Sequence, residues 1–323
     1  KNPKGRALFG ELVGQADVVV ENFRADVKHR LRIDYESLKR ENPRIILASI
    51  SGFGQTGPYS KRAGVDQIVQ GLSGLMSVTG HAGGGPMRTG IAISDTSAGM
   101  FLGQGILLAL LHREQSGEGQ WVHTSMLESM LSKMDFQAAR YTMLGEIPVQ
   151  QGNDHPTLVP MGTFEANNGP VNIAGSTARM FGELCRALGA DELLADPRYT
   201  TDAGRIANKT ELKAAINSYT AKFSVGQLVD LLAPVGVPCG PICNVAEAFE
   251  DPQVKHLRMT RVAANPVHGD IDLLRKPINL SACPQPERFH HAGPTAGQHN
   301  HEILTEFGYA SDVIQQLEQT GVI

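Results

Sequence analysis

Asp95 is the residue that most invites a chemical reading. It is the one carboxylate in the run Gly90-Ile91-Ala92-Ile93-Ser94-Asp95-Thr96-Ser97-Ala98-Gly99, and the eleven residues from Phe101 to Leu111 are almost wholly apolar. Two roles suit it. An Asp just before a helix starting at Thr96 is a good N-cap, accepting a backbone N–H that the helix leaves free. The same position lets the helix dipole and the free N–H groups favour the anion. An ionised carboxylate in a largely dry pocket can attack an acyl group covalently. From local chemistry alone, the cap is the plainer role.

Other groups compete less well. Gly83-Gly84-Gly85 before Pro86 suits an anion cradle, and suits a surface turn better. Glu21-Asn22-Phe23-Arg24 follows an apolar run, the place where parallel α/β sheets present ligands, but no G-x-G-x-x-G fingerprint opens that turn. His290, His291, His299 and His301 are separated by Pro and Gly and lack neighbouring Cys or paired acids, so they read as a solvated loop and no metal site is expected. Cys239 and Cys243 form a C-x3-C pair with no second pair to complete a zinc site, and Cys185 and Cys283 stand alone.

The elements that must position these residues alternate. Residues 17–20 and 45–50 are short continuous apolar runs, as in strands buried on both faces. Between them, residues 35–41 read as a helix closed by Asn42-Pro43. Helices are expected at 67–78, 96–112 and 127–144, with a strand at 120–124 before the last. The glycines at 99, 103 and 105 lower helix propensity and suggest a backbone packed closely on that face. This alternation is that of an α/β domain with a mostly parallel sheet. After Gly145 a linker-like stretch rich in Pro and Gly follows, then a hairpin at 162–174 turning at Asn167-Asn168. Helices near 180–188, 209–222 and 224–232 complete a smaller α+β domain, and a last helix falls near 301–307.

Composition narrows the function classes. The chain has 323 residues, 41% hydrophobic and 19% charged, and a net charge of -4, so it carries no electrostatic footprint for nucleic acid or for an anionic membrane surface. Its longest unbroken apolar run, residues 105–111, is too short to cross a bilayer. Four cysteines make no disulfide framework, and a cytoplasmic location is expected. The chain opens on Lys1 without Met and enters a helical pattern almost at once, as if it began inside a domain.

Longer motifs are more specific. Glu21 to Arg24, Asn42-Pro43-Arg44 leading into Ser49 to Tyr59, Gly64 to Gln70, the Asp95 run and His112 to Gln120 together resemble the class III CoA-transferase family. Gly236 to Pro241, Asp251 to Val254, Pro277 to Ser281, Gly297 to His299 and the closing Gly321-Val322-Ile323 extend the resemblance to the whole chain. It implies a Rossmann-like large domain over 1–148 lacking the family's first part, a small domain over 149–275, and a return to the large domain over 276–323. It also implies an interlocked homodimer and no tightly bound cofactor, with coenzyme A or acyl-CoA and a small carboxylic acid as substrates.

The resemblance places the nucleophile on Asp95 and a second acid on Asp66. It places CoA contacts on Asn22, Phe23, Arg24 and Arg30, and a site-covering loop on Gln151, Gly152 and Asn153. In the family mechanism the aspartate attacks a thioester to give an anhydride. The CoA thiolate then forms an aspartyl thioester, which the acceptor carboxylate consumes. Two alternatives remain. One is an α-methylacyl-CoA racemase-like enzyme of the same fold, which uses a His directly before the acid; here that position is Val65, which carries no proton. The other is a catalytically silent CoA-binding protein.

Overall fold

The computed structural model describes residues 2–265 and 267–323. The chain forms two compact units, Lys1–Pro156 and Thr157–Ile323.

The first unit is built on three parallel strands in the order β1 (Val18–Glu21), β2 (Ile46–Ser51), β3 (Trp121–Ser125). The register sets Val19 opposite Leu47 and Leu47 opposite Trp121. Ile45, Ile46, Leu47 and Ala48 are fully buried, which explains why this segment reads as a continuous apolar run. Helix α1 (Pro3–Gln15) precedes β1, and α2 (Ala25–Leu31) and α3 (Tyr35–Glu41) join β1 to β2. Asp34 caps α3 by accepting the Ser37 N–H at 3.1 Å. Val13, Ile33, Leu38, Ile45 and Leu47 form the core under this half. Between β2 and β3 lie α4 (Asp66–Leu72), α5 (Leu75–Val78) and α6 (Ile93–Ser116), and α7 (Met126–Lys133) and α8 (Asp135–Leu144) follow β3.

In this unit three helices differ from expectation. The single helix expected at 67–78 breaks at Gly74, whose φ of 87° only glycine adopts cheaply. The one expected at 127–144 breaks at Met134 and Asp135, the latter with φ 47°. Helix α6 begins at Ile93, three residues early, so Asp95 lies inside its first turn and Ala92 is the N-cap. With 24 residues, α6 is by length and apolar content long enough to cross a bilayer, which its short unbroken apolar run did not suggest. It packs against β2, β3, α4 and α7. Of its three glycines, only Gly105 meets a neighbour: a Cβ there would lie 2.7 Å from Val122 Cγ1, a side chain and not a backbone.

The second unit carries the expected hairpin, β4 (Met161–Ala166) and β5 (Gly169–Ala174), extended by β6 (Cys239–Pro241) antiparallel to β5. The amphipathic helices Ala178–Leu188, Lys209–Thr220 and Val225–Leu232 cover it, and Phe164, Val171, Ile173, Leu184, Leu212 and Leu228 are among its buried core. Arg205 is buried beneath, donating to the carbonyls of Val159, Tyr199 and Ser176. A second sheet pairs β7 (Thr260–Asn265) with β8 (Gly269–Leu274) and β9 (Arg288–Phe289). Helices Asn300–Glu306 and Ser311–Gln319 close the chain.

Candidate active site

The parallel sheet sends its three strand ends the same way, and three chain segments leave from that edge. Glu21 ends β1 and runs into Asn22, Phe23 and Arg24; Ser51 ends β2; Ser125 ends β3 and caps α7 through its hydroxyl. The loop after β2 folds back on itself. A Cβ on Gly52 would lie 2.8 Å from the Gly64 Cα, so only two glycines allow this approach. The loop thereby delivers Asp66 to the start of α4. Helices α4, α6 and α7 meet over Val69, Ala98, Met126 and Met130. The Ser94 hydroxyl lies 3.9 Å from Met126 Sδ, which puts the start of α6 beside the end of β3.

Asp66 and Asp95, 29 positions apart in sequence, come together here. Asp66 Oδ1 accepts the Ser94 N–H at 2.9 Å and the Ser94 hydroxyl at 2.7 Å, and its Oδ2 accepts Gln70 Nε2 at 2.7 Å. Asp66 therefore caps α6 from another helix, the role local chemistry assigned to Asp95. Partial burial alone would raise the Asp66 carboxyl. The Ser94 and Gln70 hydrogen bonds and the nearby Arg88 charge outweigh it and hold the group below the ordinary carboxylate value.

Asp95 is the opposite case, and two expectations about it are corrected. Its side chain makes no cap hydrogen bond, and among the described residues it has no hydrogen-bond or ion-pair partner. It is exposed in this chain, not enclosed in a dry pocket. Partial desolvation first, and the Asp66 charge second, push its carboxyl above the ordinary value, so the helix start does not lower it. The result is a pair of carboxyls with separated proton affinities: one clamped, one free.

The residues expected to contact CoA gather at the end of β1. Asn22, Phe23, Arg24 and Arg30 are all exposed. Asp26 draws both arginines, with Arg24 Nε at 3.8 Å and an Arg30 nitrogen at 3.5 Å. The turn is fixed from below by a buried ion pair that the sequence did not disclose. Lys28 Nζ lies 3.0 Å from Glu21 Oε1, donates to Gln55 Oε1 and sits 5.4 Å from the Trp121 ring centre, while Glu21 Oε2 accepts the Phe23 N–H at 2.8 Å. No local signal distinguishes Lys28 from the surface lysines of a short helix.

The loop of Gln151, Gly152 and Asn153 lies against the segment 79–85. The Gly152 N–H donates to Gly80 O at 2.9 Å, and the Gln150 amide donates to the carbonyls of both Thr79 and Gly85. Gly83, Gly84 and Gly85 are exposed, and the Gly84 N–H closes a turn on His81 O. Val65 is the N-cap of α4 and is exposed, so the position before Asp66 has no proton to give. Among the described residues, no group of three or more His, Cys, Asp or Glu side chains is arranged to hold a metal.

Comparisons with known proteins agree with one another. The chain matches the model of CoA-transferase family III over residues 1–300. It is 38% identical over 307 residues to a succinate–glutarate CoA-transferase of Agrobacterium fabrum, covering 95% of this chain and 76% of that protein. It is 37% identical over 287 residues to an acetyl-CoA:oxalate CoA-transferase of Acetobacter aceti, covering 88% and 72%. The crystal structure of a CAIB/BAIF family protein from Brucella suis superposes with a TM-score of 0.82 at 36% identity, over 95% of this chain and 79% of that one. The chain belongs to family III of the CoA-transferases.

Proposed function

We propose that this CoA-transferase works through a covalent intermediate on Asp95. The observation that carries the reading is the contrast between the two carboxyls: Asp66 is held by three hydrogen bonds, and Asp95 stands free beside it in the first turn of α6. A free carboxylate whose basicity is raised is the better nucleophile of the two. Its oxygen attacks the thioester carbon and the CoA thiolate leaves, giving an acyl-aspartyl anhydride. The thiolate then attacks the aspartyl carbonyl and expels the donor acid, leaving an aspartyl-CoA thioester. The acceptor carboxylate attacks that thioester and expels the thiolate. The thiolate finally takes the acceptor acyl group and returns Asp95 to its carboxylate. No proton is gained or lost over the cycle.

In this reading Asn22, Phe23, Arg24 and Arg30 hold CoA, the two arginines exchanging Asp26 for phosphate. Gln151, Gly152 and Asn153 cover the site. Short dicarboxylates such as succinate, glutarate or oxalate, named in the relatives, are the acids to offer first. Two copies assembling as an interlocked dimer would complete the site. The racemase reading has no support at Val65.

The test is hydroxylamine trapping and intact-mass measurement after incubation with succinyl-CoA, acetyl-CoA and oxalyl-CoA. An adduct mapped to Asp95 is expected, and Asp95→Ala should abolish both adduct and transfer while CoA still binds. A transferring enzyme that never labels Asp95, or an active Asp95→Ala variant, would refute the covalent role.

A further inference from the structure

Gln70 is fully buried on α4, and its amide is used to capacity. Nε2 donates to Asp66 Oδ2 at 2.7 Å and to the Ile91 carbonyl at 3.3 Å. Oε1 accepts the Thr89 N–H at 3.0 Å and the Thr89 hydroxyl at 3.2 Å. Thr89 and Ile91 belong to the segment that leads directly into α6. One side chain thus ties together the acid that caps α6 and the strand of chain from which α6 starts. Both lone pairs and both N–H groups are satisfied, so the amide has one orientation only.

We propose that Gln70 is a positioning residue for the transfer reaction: by locking Asp66 and the 89–91 segment in one geometry, it sets where the first turn of α6 presents Asp95. The proposal rests on Asp95 being the nucleophile. The chemistry is that of a buried amide between a carboxylate and a backbone, where a partner removed leaves the others unsatisfied. Asp66 acts on Asp95 and Arg88 acts on Asp66. On α7, Glu128 is held by the Ser125 hydroxyl and Lys133 lies over the Phe101 ring. On β3, His123 packs against Trp121.

Two variants test it in the full chain. Gln70→Glu keeps the shape and sets a second carboxyl against Asp66 Oδ2. Two carboxyls at that distance share one proton, whose release is delayed toward neutral pH. While the proton is present the acid donates to Asp66 as the amide did, with the bond to the Ile91 carbonyl lost at every pH, and once the proton leaves the two charges repel. The rate of Asp95 acylation by succinyl-CoA, relative to wild type, is therefore expected to fall about tenfold or more between pH 5 and pH 8. Gln70→Leu removes every bond and should lower the rate at all pH values by a similar factor, with no pH trend in the ratio. CoA affinity by calorimetry should stay near wild type in both, because the four hydrogen bonds described for Gln70 go to Asp66, Thr89 and Ile91 and not to the Asn22–Arg24 turn.

A flat pH ratio for Gln70→Glu, or wild-type acylation by both variants, overturns the proposal. Loss of CoA affinity in place of acylation rate overturns it as well. If Gln70→Leu does not fold, the fall in the Gln70→Glu rate ratio between pH 5 and pH 8 still decides. A wild-type enzyme that is never acylated on Asp95 refutes the nucleophile itself, a result distinct from any of these.

Discussion

Asp66→Asn is nearly isosteric, and the structure states what it breaks. The carboxylate accepts three short hydrogen bonds, two from Ser94 and one from Gln70. An asparagine offers one oxygen and one NH2. If its oxygen faces Ser94, its NH2 confronts Gln70 Nε2, and Gln70 cannot flip because its Oε1 accepts from Thr89. If the oxygen faces Gln70, the NH2 confronts the Ser94 backbone N–H. Either way, one hydrogen bond to a charged acceptor is lost and a donor is left opposing a donor, which costs about 2–3 kcal/mol. Urea titrations at pH 7 should show that loss. The pH dependence has a definite sign. The Asp66 carboxyl is lowered in the folded state, so its contribution is complete above its unfolded value of about 4 and is lost as pH falls through the folded value. The gap between wild type and variant should therefore be flat from pH 7 to 8 and close in acid. Removing the Asp66 charge also removes one of the two causes that raise Asp95, so the acid limb of the acylation rate should move to lower pH. A gap below about 0.5 kcal/mol at pH 7, or one that does not close in acid, would refute the capping argument.

Further outcomes follow from other parts of the first unit. Asp95→Asn should eliminate the trapped adduct and leave thermal stability at pH 7 equal or higher, measured by calorimetry. The raised Asp95 carboxyl disfavours the folded state at every pH above its folded value, and the variant is free of that effect. Lys28→Met leaves Glu21 buried without its cation and should destabilise the protein by about 3–5 kcal/mol, with CoA affinity falling as the Phe23 turn loosens. The double variant Glu21→Gln with Lys28→Met should regain much of the stability in a denaturant titration. Gly119→Ala would set a Cβ 1.9 Å from the Ile45 carbonyl oxygen and should prevent soluble folding. Gly103→Ala, with open space around its α6 position, should instead stabilise by about 0.5–1 kcal/mol.

Much of this protein was legible in its residues. The continuous apolar run before Ser51 announced a parallel strand, because burial on both faces leaves no polar alternation; the run before Glu21 also pairs in parallel, but as an edge strand that leaves Val20 exposed. The Asn167-Asn168 turn announced the hairpin, since its geometry is local. Motifs spread from Glu21 to Gly321 were enough to name the family, and they singled out Asp66 and Asp95 as residues to examine. What local sequence could not state is how those two acids differ. Capping preferences assume that a helix is capped by its own flanking residue, and on that rule Asp95 was the cap of a helix beginning at Thr96. The helix begins instead at Ile93, because Asp66, folded back by the Gly52–Gly64 approach and held by Gln70, supplies the cap from another helix. The same holds for Lys28, whose partners Glu21, Gln55 and Trp121 are assembled from three separate segments. Residue types and spacing determined which groups were present. Only the packing of distant segments decided which carboxylate is spent on structure and which is left free.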